Sequence, residues 1–275
     1  MDTKPGTSAA ADPPTRSLSG RMADTGPGRF LAEVASITRF VFRFLREALR
    51  PPFEIEEILK QAHAVGYKSL PLIGITGFIF GLVLTIQSRP TLARLGAESW
   101  LPAMVSISII REIGPVISAL IFAGKVGSGI GAELASMSVT EQIDAMKVSR
   151  INPFRYLVVT RVIATTLMLP LLVIFTDAIS LLGALVGVNI DGHISVSLFV
   201  TQVFESLEFG DLVPALVKTV FFGFAIGLIS CYNGYSCRGG TIGVGKAANA
   251  AVVWSSLSIF VIDVIAVQLT NLLQG

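Results

Sequence analysis

Five apolar segments, each long enough to cross a lipid bilayer, succeed one another along the sequence. A transmembrane helix needs about 20 mostly apolar residues. The segments cover about residues 69–88, 102–131, 157–188, 212–235 and 250–273. Hydrophobic residues make up 52% of the chain and charged residues only 15%, which is too little charge to cover a soluble domain of this size. The sequence therefore predicts an all-α polytopic membrane protein with five transmembrane helices.

Glycines recur at a spacing of four residues, which lets membrane helices approach one another closely. They form the pairs Gly77/Gly81, Gly127/Gly131, Gly183/Gly187 and Gly223/Gly227. Glycine is also common in membrane helices for other reasons, so both explanations stay open for any single pair. The second and third segments are longer than a bilayer requires, and we expect them to tilt or to extend beyond it.

The loops alternate in positive charge, and this alternation predicts the orientation of the chain. Basic residues are frequent on one side: Arg29, Arg39, Arg43, Arg46, Arg50, Lys60 and Lys68 before the first segment, Lys147, Arg150, Arg155 and Arg161 between the second and third, and Arg238 and Lys246 between the fourth and fifth. The opposite loops carry Arg89 and Arg94 in the first, and no Lys or Arg in residues 189–211. We therefore expect a cytoplasmic N-terminus and, after five crossings, a C-terminus outside.

The region before the first segment has two parts. Residues 1–28 are rich in Pro, Gly, Ser and Thr and lack an apolar stretch, which predicts a disordered tail and not a signal peptide. Residues 29–50 place apolar side chains on one helical face with arginines among the rest, which favours a helix in the cytoplasmic membrane interface. A cytosolic helix packed on a partner is the alternative. We assign residues 29–66 to interfacial or cytoplasmic amphipathic helices and 67–275 to the membrane domain.

The loop after the second segment contains a candidate short helix. Ser138 and Glu141 have the spacing of a capping box at a helix start, and an Asn-Pro pair closes the stretch. The pattern predicts a helix at about 138–148 on the cytoplasmic side, and a short external segment is expected at about 192–208. A short helix held between two membrane segments is suited to transmit a push from a bound protein, although such helices are common in membrane proteins.

Residue content disfavours several other function classes. The net charge of +2 is too small to indicate nucleic acid as a partner. Two cysteines and two histidines supply neither a disulfide framework nor a metal cluster. The stretch Gly240–Lys246 is similar to a phosphate-binding loop, but Ala247 stands where Ser or Thr is needed, and a membrane segment precedes it. We expect these glycines to form a tight turn between the fourth and fifth segments, and no cofactor or metal in this chain.

Four stretches of the sequence form a distinctive set: REIGPVISALIFAGKVGSGIGAEL (111–134), TEQIDAM (140–146), NPFRYLVVTRVIA (152–164) and SCYNGYSCRGGTIGVGKAANAAVV (230–253). Together they resemble the signature sequences of the MlaE/YrbE-type lipid ABC transporter permease family. They occur in the family's order and spacing, and the resemblance covers nearly all of residues 50–275. It implies a permease subunit, not itself an enzyme, that moves phospholipid or a similar lipid.

The resemblance also implies partners and a location. A separate ABC ATPase, which would bind ATP and Mg²⁺, is expected to contact a coupling helix that contains Glu141, Gln142, Asp144, Ala145 and Met146. The other expected partners are a periplasmic MCE-domain carrier, a STAS-domain regulator, membrane lipid and a second copy of the chain. The expected location is a bacterial inner membrane. An ion-coupled secondary transporter of a hydrophobic substrate is the alternative function.

Five of the charged residues within the apolar segments fall at a similar depth, in the outer half of the membrane, where each is costly unless it is paired or exposed to water. They are Arg111, Glu112, Asp177, Lys218 and Asp263. At about 1.5 Å per residue they fall roughly 10–16 Å below the external ends of four segments. This charged layer either flanks a cavity for a lipid head group and changes pairing during transport, or forms a structural salt-bridge network that locks the helices together. The sequence leaves both interpretations open.

Overall fold

The computed structural model describes residues 26–51, 54–190 and 195–274. Every regular element within these ranges is a helix, which confirms the predicted all-α class. The predicted tail at 1–28 lies almost wholly outside the described residues. The chain divides into two units, Met1–Arg43 and Phe44–Gly275. Helix α1 (Gly26–Ala48) supplies the described part of the first unit.

Five long helical spans confirm the five predicted membrane segments, and each extends beyond the apolar stretch that predicted it. Span 1 is α2 (Ile55–Arg94). Span 2 (Glu98–Val139) consists of a 3₁₀ turn (Glu98–Trp100), α3 (Leu101–Ser108), a π turn (Ile109–Ile113), α4 (Gly114–Phe122), a second π turn (Ala123–Gly127) and α5 (Ser128–Val139). The loop helix α6 (Gln142–Val148) leads to span 3 (Phe154–Asn189), which is a π segment (Phe154–Val159) followed by α7 (Thr160–Asn189). Then come α8 (Val196–Ser206), span 4, which is α9 (Phe209–Tyr235), and α10 (Gly240–Gln274), whose residues Gly240–Leu272 form span 5.

The assignment of residues 29–66 to interfacial or cytoplasmic amphipathic helices stays a prediction. Helix α1 ends at Ala48, three residues before Pro51, whose fixed φ and missing N–H disfavour a continued helix. The boundary predicted between residues 66 and 67 falls inside α2, which continues through it without a break.

Glycines bring span 3 against its neighbours. A Cβ atom built on Gly183 would lie 2.1 Å from the carbonyl oxygen of Phe78 in span 1, and one on Gly81 would lie 1.8 Å from that of Ser180 in span 3. Lipid tails are as apolar as leucine, so close packing of this kind is a main source of helix association in membranes. The predicted glycine spacing therefore marks real helix–helix contacts between spans 1 and 3.

The glycine-rich stretch after span 4 is mostly helical, which corrects the predicted turn. Within residues 236–246, only Gly239 (φ 129°) and Gly240 (φ 65°) have positive φ. These two glycines suffice to reverse the direction of the chain, because glycine adopts positive φ without strain. Residues 241–246 already belong to α10. The backbone that resembled a phosphate-binding loop is therefore the beginning of a long helix.

The contact at Gly183 predicts a sharp contrast between two Gly→Ala substitutions. In Gly183→Ala the new methyl group collides with backbone, which should destabilise the protein by about 1–3 kcal/mol. In the matched control Gly129→Ala, nothing lies within 4 Å of the new atom, and the better helix propensity of alanine should leave stability unchanged or slightly higher. The measurement is the thermal unfolding midpoint of each full-length variant in mild detergent. Equal midpoints for the two variants would contradict the packing described here.

Candidate functional site

Arg111 and Glu112 lie in the first π turn of span 2. Here the Gly114 N–H donates to the carbonyl of Ile109, five residues earlier. The wider turn changes the direction of the side chains relative to a regular α-helix, and such π turns are frequent at functional sites. Ile109 and Ile110 are buried in the core, whereas Arg111 (47% exposed) and Glu112 (46% exposed) are both half-exposed. The turn therefore presents an adjacent cation and anion away from the core.

Lys218 links three spans through two carboxylates. Its Nζ donates to Glu112 Oε2 in span 2 at 2.8 Å and to Asp263 Oδ1 in span 5 at 2.9 Å. The lysine side chain is only 4% exposed. A buried ammonium needs such partners, because its transfer out of water is otherwise very costly. The structure thus brings together three of the five predicted residues, one from each of spans 2, 4 and 5.

Arg111 pairs with a residue that the sequence analysis placed in a loop. Its Nε donates to Asp211 Oδ1 at 2.6 Å. Asp211 lies in the first turn of α9, where it also accepts the backbone N–H of Glu208 at 3.4 Å, as part of a capping box between these two residues. The spacing of three residues between Glu208 and Asp211 could have predicted this helix start from the sequence. Asp211 lies seven residues before Lys218 and therefore extends the candidate site by about two turns toward the beginning of α9.

Asp177 does not join the Lys218 cluster. Its carboxyl group is buried (8% exposed) between spans 2 and 3, and a Cβ built on Gly114 would lie 1.8 Å from its Oδ1. That oxygen has no hydrogen-bond partner among the described residues. The Ser118 hydroxyl of span 2 donates a hydrogen bond to the hydroxyl of the neighbouring Thr176 at 2.9 Å. Asp177 thus shares its depth with the layer but faces a different helix contact.

The charged side chains line a cleft that continues into an apolar groove. The cleft has a volume of about 200 Å³, and its wall includes Arg111, Glu112, Asp211 and Lys218. The groove, about 340 Å³, lies between spans 4 and 5 and is lined by Val213, Val217, Phe221 and Leu269. Both cavities share Pro214, Lys218, Ala266 and Thr270. A polar compartment and an apolar one therefore meet at Lys218.

A second apolar groove lies between spans 1 and 3. It measures about 500 Å³, and its wall is formed by Leu70, Pro71, Gly74, Ile75, Phe78, Ile79, Phe175 and Ile179. None of these lining residues is charged. The groove between spans 1 and 3 shares no lining residue with the charged cleft, whereas the groove between spans 4 and 5 joins it.

The loop helix α6 is shorter than predicted: it begins at Gln142 and not at about residue 138. Ser138 belongs to the end of α5, and its Oγ donates to the carbonyl of Cys237 instead of capping a new helix. Glu141 takes a left-handed conformation (φ 60°) and makes no side-chain cap with described backbone, so the predicted capping box is wrong. The chain bends at Glu141, and α6 begins at Gln142. Ile143 is buried, and the helix exposes Gln142, Asp144 and Ala145 while Met146 is half-buried.

Polar contacts tie the α6 loop to neighbouring helices, and sequence reasoning missed them. The Asn152 side chain accepts the N–H of Phe154 and donates to Glu47 Oε2 at 3.1 Å, and Arg155 contacts the same carboxylate oxygen at 3.2 Å. Tyr156 donates to Glu57 at 3.2 Å. Arg161, counted above among the loop charges, is instead buried inside α7 and pairs with Glu133 at 2.8 Å. No sequence spacing relates these residues, because they are far apart in the chain.

Comparison with known proteins assigns the family. The family model described as Permease MlaE matches residues 58–269. The chain belongs to the MlaE permease family. A probable ABC transporter permease protein of Rickettsia felis is 40% identical to this MlaE-family chain over 243 residues, which are 88% of this chain and 93% of the relative. A probable ABC transporter permease protein of Pyropia yezoensis is 34% identical over 235 residues, covering 86% and 89%.

A further relative has a more specific description. The intermembrane phospholipid transport system permease protein MlaE of Haemophilus influenzae is 36% identical over 210 residues, which are 76% of this chain and 80% of the relative. These matches confirm the resemblance stated from the four signature stretches. Together with the five spans, they establish this MlaE-family chain as a multi-pass permease subunit. Among the residues that the structure describes, no group of three or more His, Cys, Asp and Glu side chains could hold a metal ion.

The Lys218 cluster predicts a measurable coupling between spans 4 and 5. Lys218→Met leaves Glu112 and Asp263 without their shared cation and should cost on the order of 3 kcal/mol of stability. Adding Asp263→Asn should recover part of this loss, with a coupling of about 1 kcal/mol or more in a double-mutant cycle. The measurement is the unfolding midpoint in detergent of the four proteins in the cycle.

The matched control for this cycle is Lys60→Met. Lys60 forms an exposed ion pair with Glu56 one helical turn away, and exposed pairs contribute little to stability. We expect its unfolding midpoint to stay at the wild-type value. Additive effects of Lys218→Met and Asp263→Asn would contradict the pairing described here.

Proposed function

We propose that this chain is the membrane-spanning permease of an ABC transporter that moves phospholipid or a similar amphiphile between the inner membrane and a periplasmic MCE-domain carrier. The observation that carries the proposal is the junction of a charged cleft with an apolar groove at Lys218. A lipid has the same two-part chemistry, with a polar head and apolar chains. The description of the Haemophilus influenzae relative as part of an intermembrane phospholipid transport system supports this substrate.

The charged cleft would lower the cost of bringing a head group into the bundle. A polar group placed in an apolar environment without partners loses several kcal/mol of hydration free energy. Arg111 and Glu112 offer half-exposed charged groups at the cleft wall. Val217 and Phe221 would meanwhile contact an acyl chain in the adjoining groove. In this reading the charged layer has a functional role as well as a structural one.

Energy for transport would come from a separate ATPase, which would hold ATP and Mg²⁺. Helix α6 suits the docking of such a partner because Ile143 anchors it while Gln142, Asp144 and Ala145 face outward. Contacts of the following loop with Glu47 would carry a displacement of α6 to the neighbouring helix end. The relatives' description as ABC transporter permeases supports an ATPase partner.

The remaining parts of the proposal concern assembly and orientation. The chain would act as a homodimer in the inner membrane, with its N-terminus cytoplasmic and its C-terminus periplasmic. Helix α8 and the mouth of the charged cleft would then lie on the periplasmic side, where an MCE-domain protein would receive or deliver the lipid. A STAS-domain regulator would act on the cytoplasmic side, and α1 would lie in the cytoplasmic interface.

Transport by a Glu112→Gln variant tests the role of the cleft. The amide keeps a hydrogen-bond acceptor for Lys218 but removes the negative charge, so we expect a folded protein. Loss of one charge-assisted hydrogen bond in the working state should lower ATP-dependent lipid transfer about tenfold. The measurement is transfer of labelled phospholipid by the complete complex reconstituted in vesicles.

Glu98→Gln is the matched control for this measurement. Glu98 pairs with Arg89 at 2.8 Å and does not line the cleft, so its transfer rate should equal that of the wild type. Wild-type transfer by Glu112→Gln would contradict the role given to the cleft. Transfer that persists after the partner ATPase is inactivated would instead favour the ion-coupled alternative.

Charge reversal on α6 tests the docking surface. Asp144→Lys, or the bulky Ala145→Trp, should reduce the amount of ATPase that co-purifies with the chain about tenfold, because both side chains face outward on the proposed contact. Glu56→Lys is the control, since it reverses an exposed charge on α2. Co-purification in mild detergent, quantified by mass spectrometry, gives the ratio of the two proteins. An unchanged ratio of ATPase to chain in both α6 variants would contradict the proposal that α6 contacts the ATPase.

A further inference from the structure

The charged network at the cleft does not balance, and its sum points to the class of head group. Arg111, Glu112, Asp211 and Lys218 line the cleft, and Asp263, which is not in its wall, accepts a hydrogen bond from Lys218. Arg111 pairs with Asp211, and Lys218 with both Glu112 and Asp263. The formal charges of these three carboxylates and two cations sum to −1. An anionic head group would add a second uncompensated negative charge to this site, whereas a zwitterionic head group adds none.

The exposure of these side chains shows which charges a head group can meet. Lys218 is enclosed, and its ammonium is already bonded to two carboxylates. Arg111 and Glu112 are both half-exposed on the cleft wall. Arg111 uses its Nε and one terminal nitrogen on Asp211, and a guanidinium carries five N–H donors in all. The cleft thus offers one cationic and one anionic group side by side.

We propose that the cleft selects phospholipids with a zwitterionic head group, a phosphate diester that carries an ammonium, over phospholipids with an anionic head group. This inference rests on the proposed function and adds the substrate class. The phosphate would accept hydrogen bonds from Arg111, and the ammonium would contact Glu112. Only two carbon atoms separate the phosphate from the ammonium in an ethanolamine head group, which suits two adjacent side chains.

An anionic head group lacks the ammonium that would contact Glu112. Its phosphate would compete with Asp211 for Arg111, and its uncharged remainder would leave the carboxylate of Glu112 facing an added negative charge. Like charges placed together are an effective means of rejecting a competing ligand. The groove lined by Val217 and Phe221 is common to both lipids, so it contributes affinity without distinguishing them.

The test is a competition between two lipids with identical acyl chains. The full-length chain in mild detergent is incubated with equal amounts of phosphatidylethanolamine and phosphatidylglycerol, and bound lipid is quantified by mass spectrometry relative to the free mixture. We expect the wild type to enrich the ethanolamine lipid about three- to tenfold. Glu112→Gln should bring the ratio close to one, because it raises the formal sum to zero.

Two controls and a second cleft variant accompany the competition. Glu98→Gln removes a negative charge outside the cleft and should keep the wild-type ratio. Asp211→Asn is an independent second variant: it frees Arg111 and should also shift binding toward phosphatidylglycerol, so the inference stays testable if Glu112→Gln does not fold. Soluble glycerophosphoethanolamine, which lacks acyl chains, should not displace the bound lipid.

The outcomes separate this inference from the proposed function. Equal binding of the two lipids by the wild type, or an unchanged ratio in both cleft variants, would overturn the selectivity while leaving a lipid permease intact. Absence of either bound lipid from the wild type would overturn the selectivity and the proposed function together. Displacement by the soluble head group would show that head-group chemistry alone accounts for binding, and that the groove does not hold an acyl chain.

Discussion

The arrangement of spans 2, 4 and 5 depends on the two hydrogen bonds that the ammonium of Lys218 donates to carboxylates. This ammonium is buried in a helix of a membrane bundle, where an unpaired charge would be strongly unfavourable. Glu112 and Asp263 supply two carboxylates from two other spans. Any movement that separates these spans must therefore break a charge-assisted bond or replace it. The cluster holds these three spans together and also limits the positions that they can adopt relative to one another.

Two chemical environments meet at the same cluster. The cleft with Arg111 and Asp211 and the apolar groove of Val217 and Phe221 both have Lys218 in their walls. A permease for an amphiphile needs both, since the head group and the chains have opposite preferences for water. No reactive residue is required in such a mechanism: α6 and its loop would transmit movement, and the charged layer would respond to it. The structural and functional interpretations of the layer are thus compatible.

The sequence predicted the spans and the depth of the charges but not their directions. Loss of hydration makes a charge in an apolar segment conspicuous, so Lys218 and its two partners could be found by counting residues. Counting residues gives the height of a side chain along a helix but not its direction around the helix axis. The π turn at 109–113 also changes the usual angle of about 100° between successive side chains. The pairing of Arg111 with Asp211 and the separate position of Asp177 could therefore not be derived from the sequence. The capping-box pattern at Ser138 failed because α5 continues past it, and a left-handed Glu141 makes the break instead.

The most direct test of the central claim is an experimental structure of the full-length chain in phospholipid nanodiscs, by electron cryomicroscopy. We expect lipid density with its head group within hydrogen-bond distance of Arg111 and an acyl chain against Phe221 between spans 4 and 5. Lipid density confined to the groove between spans 1 and 3, beside Phe175, with none in the charged cleft, would contradict the role given to the cleft.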